Sequence, residues 1–219
     1  MISILLASIA LSTTPADVSK LVARVQATYD SQSDISAEFT QSYMDSLRGT
    51  TREESGRLWA KQDGRVRWTY MKPVRKDFVY TGTAAYFYEP ESAQVTVFED
   101  FKQSQLSQAL RFLWGQGELQ SSFEIQACET ECKRATAAQK VLVLWPKVPI
   151  ATVDKILLVV DSDSASVVRS VVIDPLGNET KYRLTNFDKT KLVDERLFDF
   201  QVPEGVSVLK ASGKKSDKK

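Results

Sequence analysis

The chain has no histidine among its 219 residues. Histidine is the commonest general base near neutral pH, so Ser-His-Asp and Cys-His catalytic arrangements are excluded. The 29 basic and 28 acidic side chains leave a formal net charge of +1, which gives no field to draw the body to nucleic acid or to an anionic membrane. We therefore expect no nucleic-acid partner, and other partners must be recognised through shape and apolar surface.

Cysteine is scarce as well, with only Cys128 and Cys132 in the spacing C-x-x-x-C. A zinc site needs more nitrogen or sulfur ligands than this pair supplies, so we expect no metal. In an oxidising compartment the pair can bridge the tip of a hairpin between two predicted strands. The spacing favours a disulfide over two free thiols.

Few residues are left for chemistry. The acidic pairs Glu53–Glu54 and Asp161–Asp163 lie in polar, turn-like stretches, where solvated charge is the usual state. No glycine-rich loop that could cradle a phosphate is found. We predict that the chain is not an enzyme and holds no cofactor.

The two ends of the chain differ from its middle. Residues 1–11 are apolar, broken only by serine, and too short to span a bilayer, which is typical of a signal peptide. We predict a cleaved signal over residues 1–16 and a periplasmic product; a buried N-terminal helix turn or strand is the alternative. No cysteine lies at the cleavage site, so no acyl anchor is expected. Residues 209–219 are lysine-rich and predicted to be a disordered basic tail.

The middle, residues 17–208, has the pattern of a single mainly β domain. From residue 35 to residue 43 apolar and polar side chains alternate, as in a half-buried antiparallel strand. Similar segments follow between turn signals, among them residues 76–80, 85–89 and 94–98, and the last is residues 198–202. About eleven strands result, which predicts a strongly curved antiparallel sheet or open barrel.

Two segments show helical spacing instead. Their apolar stripes consist of Val18, Leu21, Val22, Val25 and Tyr29 in the first, and Leu106, Leu110, Leu113 and Trp114 in the second. Such a stripe can pack on a sheet or cover the mouth of an apolar cavity, and the spacing alone leaves both possibilities open.

A barrel of eight strands is filled by its own side chains, whereas one with more strands encloses space. About eleven strands and two amphipathic helices therefore predict a cavity with a cover. Besides the two helical stripes, the candidate lining residues are Phe39, Trp68, Phe78, Tyr86 and Tyr88. Ordinary core packing is the alternative for each of them.

Residues 56–95, GRLWAKQDGRVRWTYMKPVRKDFVYTGTAAYFYEPESAQV, resemble the pattern of the outer-membrane lipoprotein carrier (LolA) family: a G-x-L-W strand, an R-W-x-Y strand, a proline turn and a tyrosine-rich strand. AEFTQ at residues 37–41 and FDFQVPEGVSV at residues 198–208 also match. The resemblance implies an unclosed antiparallel β-barrel with a helical lid over an apolar cavity. It also implies a monomeric periplasmic shuttle that takes lipoproteins, by their acyl chains, from an inner-membrane ABC exporter to an outer-membrane lipoprotein acceptor.

The sequence departs from the family at two adjacent positions. The family has an arginine after the G-x-L-W strand, followed by proline, and this arginine hydrogen-bonds the lid closed. Here Gln62 and Asp63 stand at those two positions. Gln62 can still hydrogen-bond, but without charge, and Arg65 and Arg67 are the candidate substitutes.

A lipid or lipoprotein carrier is the function that these features favour. Each buried methylene is worth about 0.8 kcal/mol, so long acyl chains need a sheath to cross water. The main alternative is a periplasmic sensor or interaction module that binds a protein or peptide with the same half-barrel. A third hypothesis is an enzyme that uses Asp161 and Asp163.

Overall fold

The computed structural model describes residues 15–31, 34–99, 101, 119–128, 135–188 and 192–211. Three predictions fall outside these ranges: the second helix with Leu106, Leu110 and Leu113, residue Cys132, and most of the predicted signal peptide and tail. Each of them stays a prediction.

Two helices and twelve strands make up the described part of the chain. The elements are α1 (Pro15–Asp30), β1 (Ile35–Asp45), β2 (Thr50–Ala60), β3 (Val66–Lys72), β4 (Lys76–Tyr80), β5 (Ala85–Glu89), β6 (Gln94–Phe98), α2 (Leu119–Ser122), β7 (Phe123–Ala127), β8 (Gln139–Pro146), β9 (Lys155–Asp161), β10 (Val167–Ile173), β11 (Glu179–Asp188) and β12 (Ser207–Lys210). Short 3-10 turns lie at Pro90–Ser92 and Glu195–Phe198. Neither α1 nor α2 is long and apolar enough to cross a membrane.

All twelve strands join one sheet in the order β12-β6-β5-β4-β3-β2-β1-β11-β10-β9-β8-β7. Every neighbouring pair is antiparallel except β12 and β6, which are parallel. The edge strands β12 and β7 do not pair with each other, so the sheet stays unclosed. The predicted fold class, an unclosed and mainly antiparallel barrel with helices, is confirmed, with twelve strands where about eleven were expected.

The C-terminal strand was placed wrongly. Residues 198–202 were predicted to form a strand, but Glu195–Phe198 forms a 3-10 turn, in which the Asp194 carboxylate accepts a hydrogen bond from the Arg196 backbone N–H at 3.0 Å. The last strand is instead Ser207–Lys210. It therefore takes two residues from the predicted tail that starts at 209. At the other end α1 begins at Pro15, two residues before the predicted domain start at 17.

The register of the strands defines two faces of the sheet. Residues that lie directly opposite each other in neighbouring strands share a face. Trp68 lies opposite both Leu58 and Phe78, and these residues belong to what we call the inner face. Arg67 lies opposite Val79, which lies opposite Tyr86, and these residues belong to the outer face.

Helix α1 packs on the inner face of β7, β8 and β9. Val22 and Val25 are 2% and 0% exposed and join a core cluster with Phe123, Leu142 and Leu158. The side chain of Arg24 anchors the helix, because its guanidinium donates to the carbonyl oxygens of Ser162 and Asp163 at 2.9 and 2.6 Å. Of the two alternatives left by the helical spacing, the stripe of α1 packs on the sheet.

Candidate functional site

A cavity of about 670 Å³ lies between two walls of the inner face. Strands β2, β3 and β4 supply one wall, and β9, β10 and β11 supply the other. The lining residues are Tyr29, Ile35, Leu58, Ala60, Trp68, Tyr70, Phe78, Phe101, Thr152, Val153, Ile156, Ser166, Val167, Val168, Arg169, Ser170, Val172, Thr180, Tyr182, Leu184 and Phe187. The volume is within the range of about 300–1,000 Å³ that is typical of ligand sites, and most of the lining side chains are apolar.

Aromatic rings in mutual contact form the cavity wall at β3. The ring of Phe39 lies 4.8 Å from Trp68 and 4.9 Å from Tyr70, between ring centroids, and Trp68 meets Tyr182 across the cavity at 5.6 Å. Such tilted and edge-on pairs are favourable for aromatic rings. They fix the shape of the wall.

Gly56 makes this ring packing possible. It lies between Phe39 in β1 and Tyr70 in β3, opposite both residues in the register. A Cβ at this position would overlap the carbonyl oxygen of Thr69. With no side chain in the middle strand, the two flanking rings meet above it. The glycine of the G-x-L-W motif is thus explained by close approach to the neighbouring strand.

A second aromatic cluster lies beside the cavity around Phe101. Its ring centroid is 5.4 Å from Phe78, 5.3 Å from Tyr80 and 6.4 Å from Phe98. Phe78 and Phe101 line the cavity, while Tyr80 and Ala85 are buried behind them. This corner is therefore apolar throughout its described residues.

The tyrosines in the lining stay neutral. Burial raises the pKa of Tyr182 to about 12, with the nearby Glu54 carboxylate as a second cause. Burial likewise raises the pKa of Tyr29 to about 12, opposed by a hydrogen bond from the backbone of Val167. These hydroxyl groups therefore carry no charge at physiological pH.

The family model for outer membrane lipoprotein carrier protein LolA matches residues 30–201. The chain belongs to the LolA family. Two curated relatives, each called an outer-membrane lipoprotein carrier protein, come from Alkalilimnicola ehrlichii and Methylococcus capsulatus. The first is 28% identical over 186 residues, which is 84% of this chain and 81% of the relative. The second is 27% identical over 185 residues, which is 84% of this chain and 85% of the relative.

A solved structure agrees with this fold. The crystal structure of an uncharacterized conserved protein from Thermus thermophilus superposes with a TM-score of 0.53 and 14% identity, covering 88% of this chain and 98% of that one. At that identity the likeness concerns the fold alone. The resemblance to the LolA family that was stated from sequence motifs is confirmed by the family model.

The structure divides the predicted lining residues among three places. Trp68 and Phe78 line the cavity. Phe39 is 2% exposed and lies behind them, against Trp68 and Tyr70, as part of the supporting core. The prediction for Tyr86 and Tyr88 requires a correction, because both are on the outer face, where their rings lie 4.9 and 6.0 Å from that of Phe200.

The reason for this correction lies in the run AYFYE. The alternation of side chains along a strand predicts that Tyr86 and Tyr88 share one face of the sheet and that Phe87 lies on the other. It does not predict which of the two faces is the inner one. The register decides it, since Phe87 lies opposite Phe78, on the inner face, and Tyr86 lies opposite Val79.

The residues of α1 that were predicted to line the cavity also lie in different environments. Val22 and Val25 are buried core residues, and Val18 and Leu21 line a separate pocket of about 630 Å³ beside the β7–β8 hairpin. Within α1 only Tyr29, near its C-terminal end, reaches the main cavity. The helix therefore closes one side of the inner face, and of its predicted stripe Tyr29 alone lines the main cavity.

The two arginines predicted as substitutes for the lid latch contact the C-terminal segment of the described residues. Arg65 pairs with Asp63 at 2.6 Å and with Glu195 at 2.5 Å, and its guanidinium lies 5.5 Å over the ring of Phe198. Asp63 and Glu195 hydrogen-bond Arg65 and raise the pKa of its guanidinium further above its ordinary value.

Arg67 makes the same kind of contact farther along the outer face. It pairs with Asp77 at 2.8 Å and donates to the carbonyl oxygen of Leu197 at 3.1 Å. Asp77 is 2% exposed and also accepts from the Thr69 hydroxyl. The side chain of Gln62 is exposed. Neither arginine contacts α1 among the described residues. The second predicted lid helix lies outside those residues, so the lid-latch role of Gln62, Arg65 and Arg67 stays a prediction.

Sequence reasoning missed the second wall of the cavity. Its side chains include Ile156, Ser170, Val172, Thr180, Tyr182 and Leu184. A signal was present in β11, where residues 180, 182 and 184 alternate with the more polar residues 181, 183 and 185. The run VVRSVVI of β10 has no such alternation, and only its pairing with β11, with Ser170 opposite Tyr182 and Val172 opposite Thr180, shows that both strands supply the same wall.

Cys128 follows β7 and is half-buried, and its backbone N–H donates to the carbonyl of Val141 at 2.9 Å. Cys132 lies outside the described residues. The disulfide between them remains a prediction.

Proposed function

We propose that this LolA-family chain is a periplasmic carrier that shuttles lipoproteins from the inner to the outer membrane, with their acyl chains in the cavity. The observation that carries the proposal is the aromatic and aliphatic cavity of about 670 Å³ on the inner face. The names of the curated relatives support the same cargo class. An inner-membrane ABC exporter would load the carrier, an outer-membrane lipoprotein acceptor would unload it, and the carrier would act as a monomer without catalysis.

The physical character of the cavity suits this task. Apolar contacts are non-directional, so a wall of Leu58, Trp68, Phe78 and Leu184 accepts hydrocarbon chains of different lipoproteins. Each methylene taken from water contributes about 0.8 kcal/mol, which makes a lipid-filled carrier stable in an aqueous compartment. The unclosed sheet leaves the walls free to separate during loading and release.

The test places a charge in the cavity wall. Leu184 is half-buried in β11 and lines the cavity, so Leu184→Lys should weaken binding of a diacyl lipopeptide by roughly ten-fold or more. The matched control is Thr185→Lys, on the outer face of the same strand opposite Glu38, which should bind like the wild type. Displacement of an apolar fluorophore measures both affinities, and the midpoint of urea unfolding checks that both variants fold.

Protein prepared from a periplasm should also carry acylated material that mass spectrometry identifies. Wild-type protein that is lipid-free and binds neither the fluorophore nor the lipopeptide would overturn the carrier proposal. Equal loss of affinity in both variants would show that the cavity wall is not the binding surface.

A further inference from the structure

The cavity carries a cluster of polar groups toward the end where β1 and β2 run into their hairpin. Tyr182 in β11 lies directly opposite Gln41 in β1 and Ser170 in β10. The hydroxyl of Tyr70 donates to the side-chain carbonyl oxygen of Gln41 at 2.7 Å. Tyr70, Ser170 and Tyr182 all line the cavity. Three residues that carry hydroxyl groups are therefore neighbours in a cavity whose remaining walls are largely hydrocarbon.

Tyr182 is the member of this cluster that is available to a ligand. Its ring is held edge-on against Trp68 at 5.6 Å, while its hydroxyl makes no hydrogen bond with any described residue. The group stays protonated at physiological pH, so it can donate one hydrogen bond. The cavity wall thus holds a hydrogen-bond donor in place, and a bound ligand can supply the acceptor.

The charge around the cluster is balanced. The ammonium of Lys76 lies 4.5 Å over the ring of Tyr70 and pairs with the Glu54 carboxylate at 2.6 Å. Both side chains of this pair are largely buried, at 20% and 16% exposure. Because the cation is already neutralised, the cluster suits an uncharged hydrogen-bond acceptor better than a phosphate or carboxylate.

We propose that Tyr182, supported by Tyr70, Ser170 and Gln41, forms a subsite for the ester carbonyl groups at the head of bound acyl chains. The subsite rests on the carrier function proposed above and adds an orientation to it. The ester carbonyl is an uncharged acceptor at the head of an ester-linked acyl chain, whereas the hydrocarbon of the chain has none. Ligands therefore enter with their head near Tyr182 and their chains directed toward Ile35 and Tyr29, at the other end of the cavity. A hydrogen bond is directional and can fix the orientation of the ligand, which apolar contacts alone cannot do.

The experiment compares two synthetic lipopeptides that carry two sixteen-carbon chains each. The chains are attached as hexadecanoyl esters in one lipopeptide and as hexadecyl ethers in the other. Wild-type protein should bind the ester form roughly two- to ten-fold more tightly, the usual contribution of one hydrogen bond. Tyr182→Phe should lose this preference while it keeps the wild-type affinity for the ether form. Tyr88→Phe, which removes a hydroxyl from the outer face beside Phe200, should keep the preference.

The outcomes separate this inference from the carrier proposal. Equal affinity of the wild type for the two linkages, or an equal loss for both in Tyr182→Phe, overturns the subsite alone. Failure of the wild type to bind either lipopeptide refutes the carrier proposal and the subsite with it. Retention of the ester preference by Tyr182→Phe assigns the carbonyl to another group and also overturns the subsite.

Discussion

Two parts of the same inner face use apolar side chains in different ways. On β7, β8 and β9 the side chains of Phe123, Leu142 and Leu158 pack under α1, where Val22 and Val25 fill the space. We call this the packed part. On β2, β3 and β4, and on the facing strands β10 and β11, inward positions line the cavity, and we call this the open part. The comparison shows that the inward direction of an apolar side chain does not decide whether it belongs to the core or to a binding surface. What decides it is whether another element packs over that side chain.

The open part is also stabilised by contacts on its outer face. On its outer face the segment around Glu195–Phe198 is held by Arg65 and Arg67, and Phe200 packs on Tyr86. In the packed part the helix is on the inner face, whereas here the covering segment is on the outer face. The sheet therefore keeps its cavity without losing support.

The largest effect should come from one leucine truncation in each part. Leu158→Ala removes a fully buried side chain from the packed part and should lower the free energy of unfolding by about 2–5 kcal/mol. Leu184→Ala, in the cavity wall, should lower it by only about 1 kcal/mol, because the side chain already faces empty space and its loss creates no new sealed void. Urea denaturation of both variants measures the two values. Equal losses would remove the distinction between the parts.

This distinction marks the limit of what the sequence could predict. The ends of β4, β5 and β6 agree with the residue ranges read from the alternation, because turn residues flank short apolar strands. The face of Tyr86 and Tyr88 was not predictable, since it depends on pairing with β4. The alternation predicts a strand over residues 55–61, whereas β2 begins at Thr50, because residues 50–54 are polar and only their pairing with β1 makes them a strand.

The outer support of the open part predicts a dependence on pH. Asp34 is 7% exposed and accepts hydrogen bonds from Lys61 Nζ and the Val193 backbone N–H, both at 3.0 Å. Burial acts to raise the pKa of Asp34, but these hydrogen bonds outweigh it and lower the pKa below its ordinary value. A carboxylate with a lowered folded-state pKa stabilises the protein above its unfolded-state pKa, and this stabilisation is lost as the pH falls through the folded-state pKa.

Asp34→Asn should therefore be less stable than the wild type at pH 7, and the gap should narrow as the pH falls below about 4, the ordinary aspartate pKa. Midpoints of urea unfolding at pH 7, 5, 4 and 3 give the comparison. A gap that stays constant or widens on acidification would mean that the Asp34 charge does not hold the C-terminal segment on the open part.

The smallest expected effect concerns Arg65, and it decides between two roles for this residue. Its partners Asp63 and Glu195 are largely exposed, and such ion pairs contribute little to global stability. Arg65→Gln should therefore leave the urea midpoint nearly unchanged. It should speed amide exchange locally at residues 193–198, because the guanidinium no longer bridges Glu195 and covers Phe198. An arginine that latched a helical lid would instead change amide exchange in a lid helix, either α1 or the predicted helix with Leu106, Leu110 and Leu113. Faster exchange confined to those helices would support the latch role implied by the family resemblance, whereas faster exchange at residues 193–198 assigns Arg65 to the outer support of the open part.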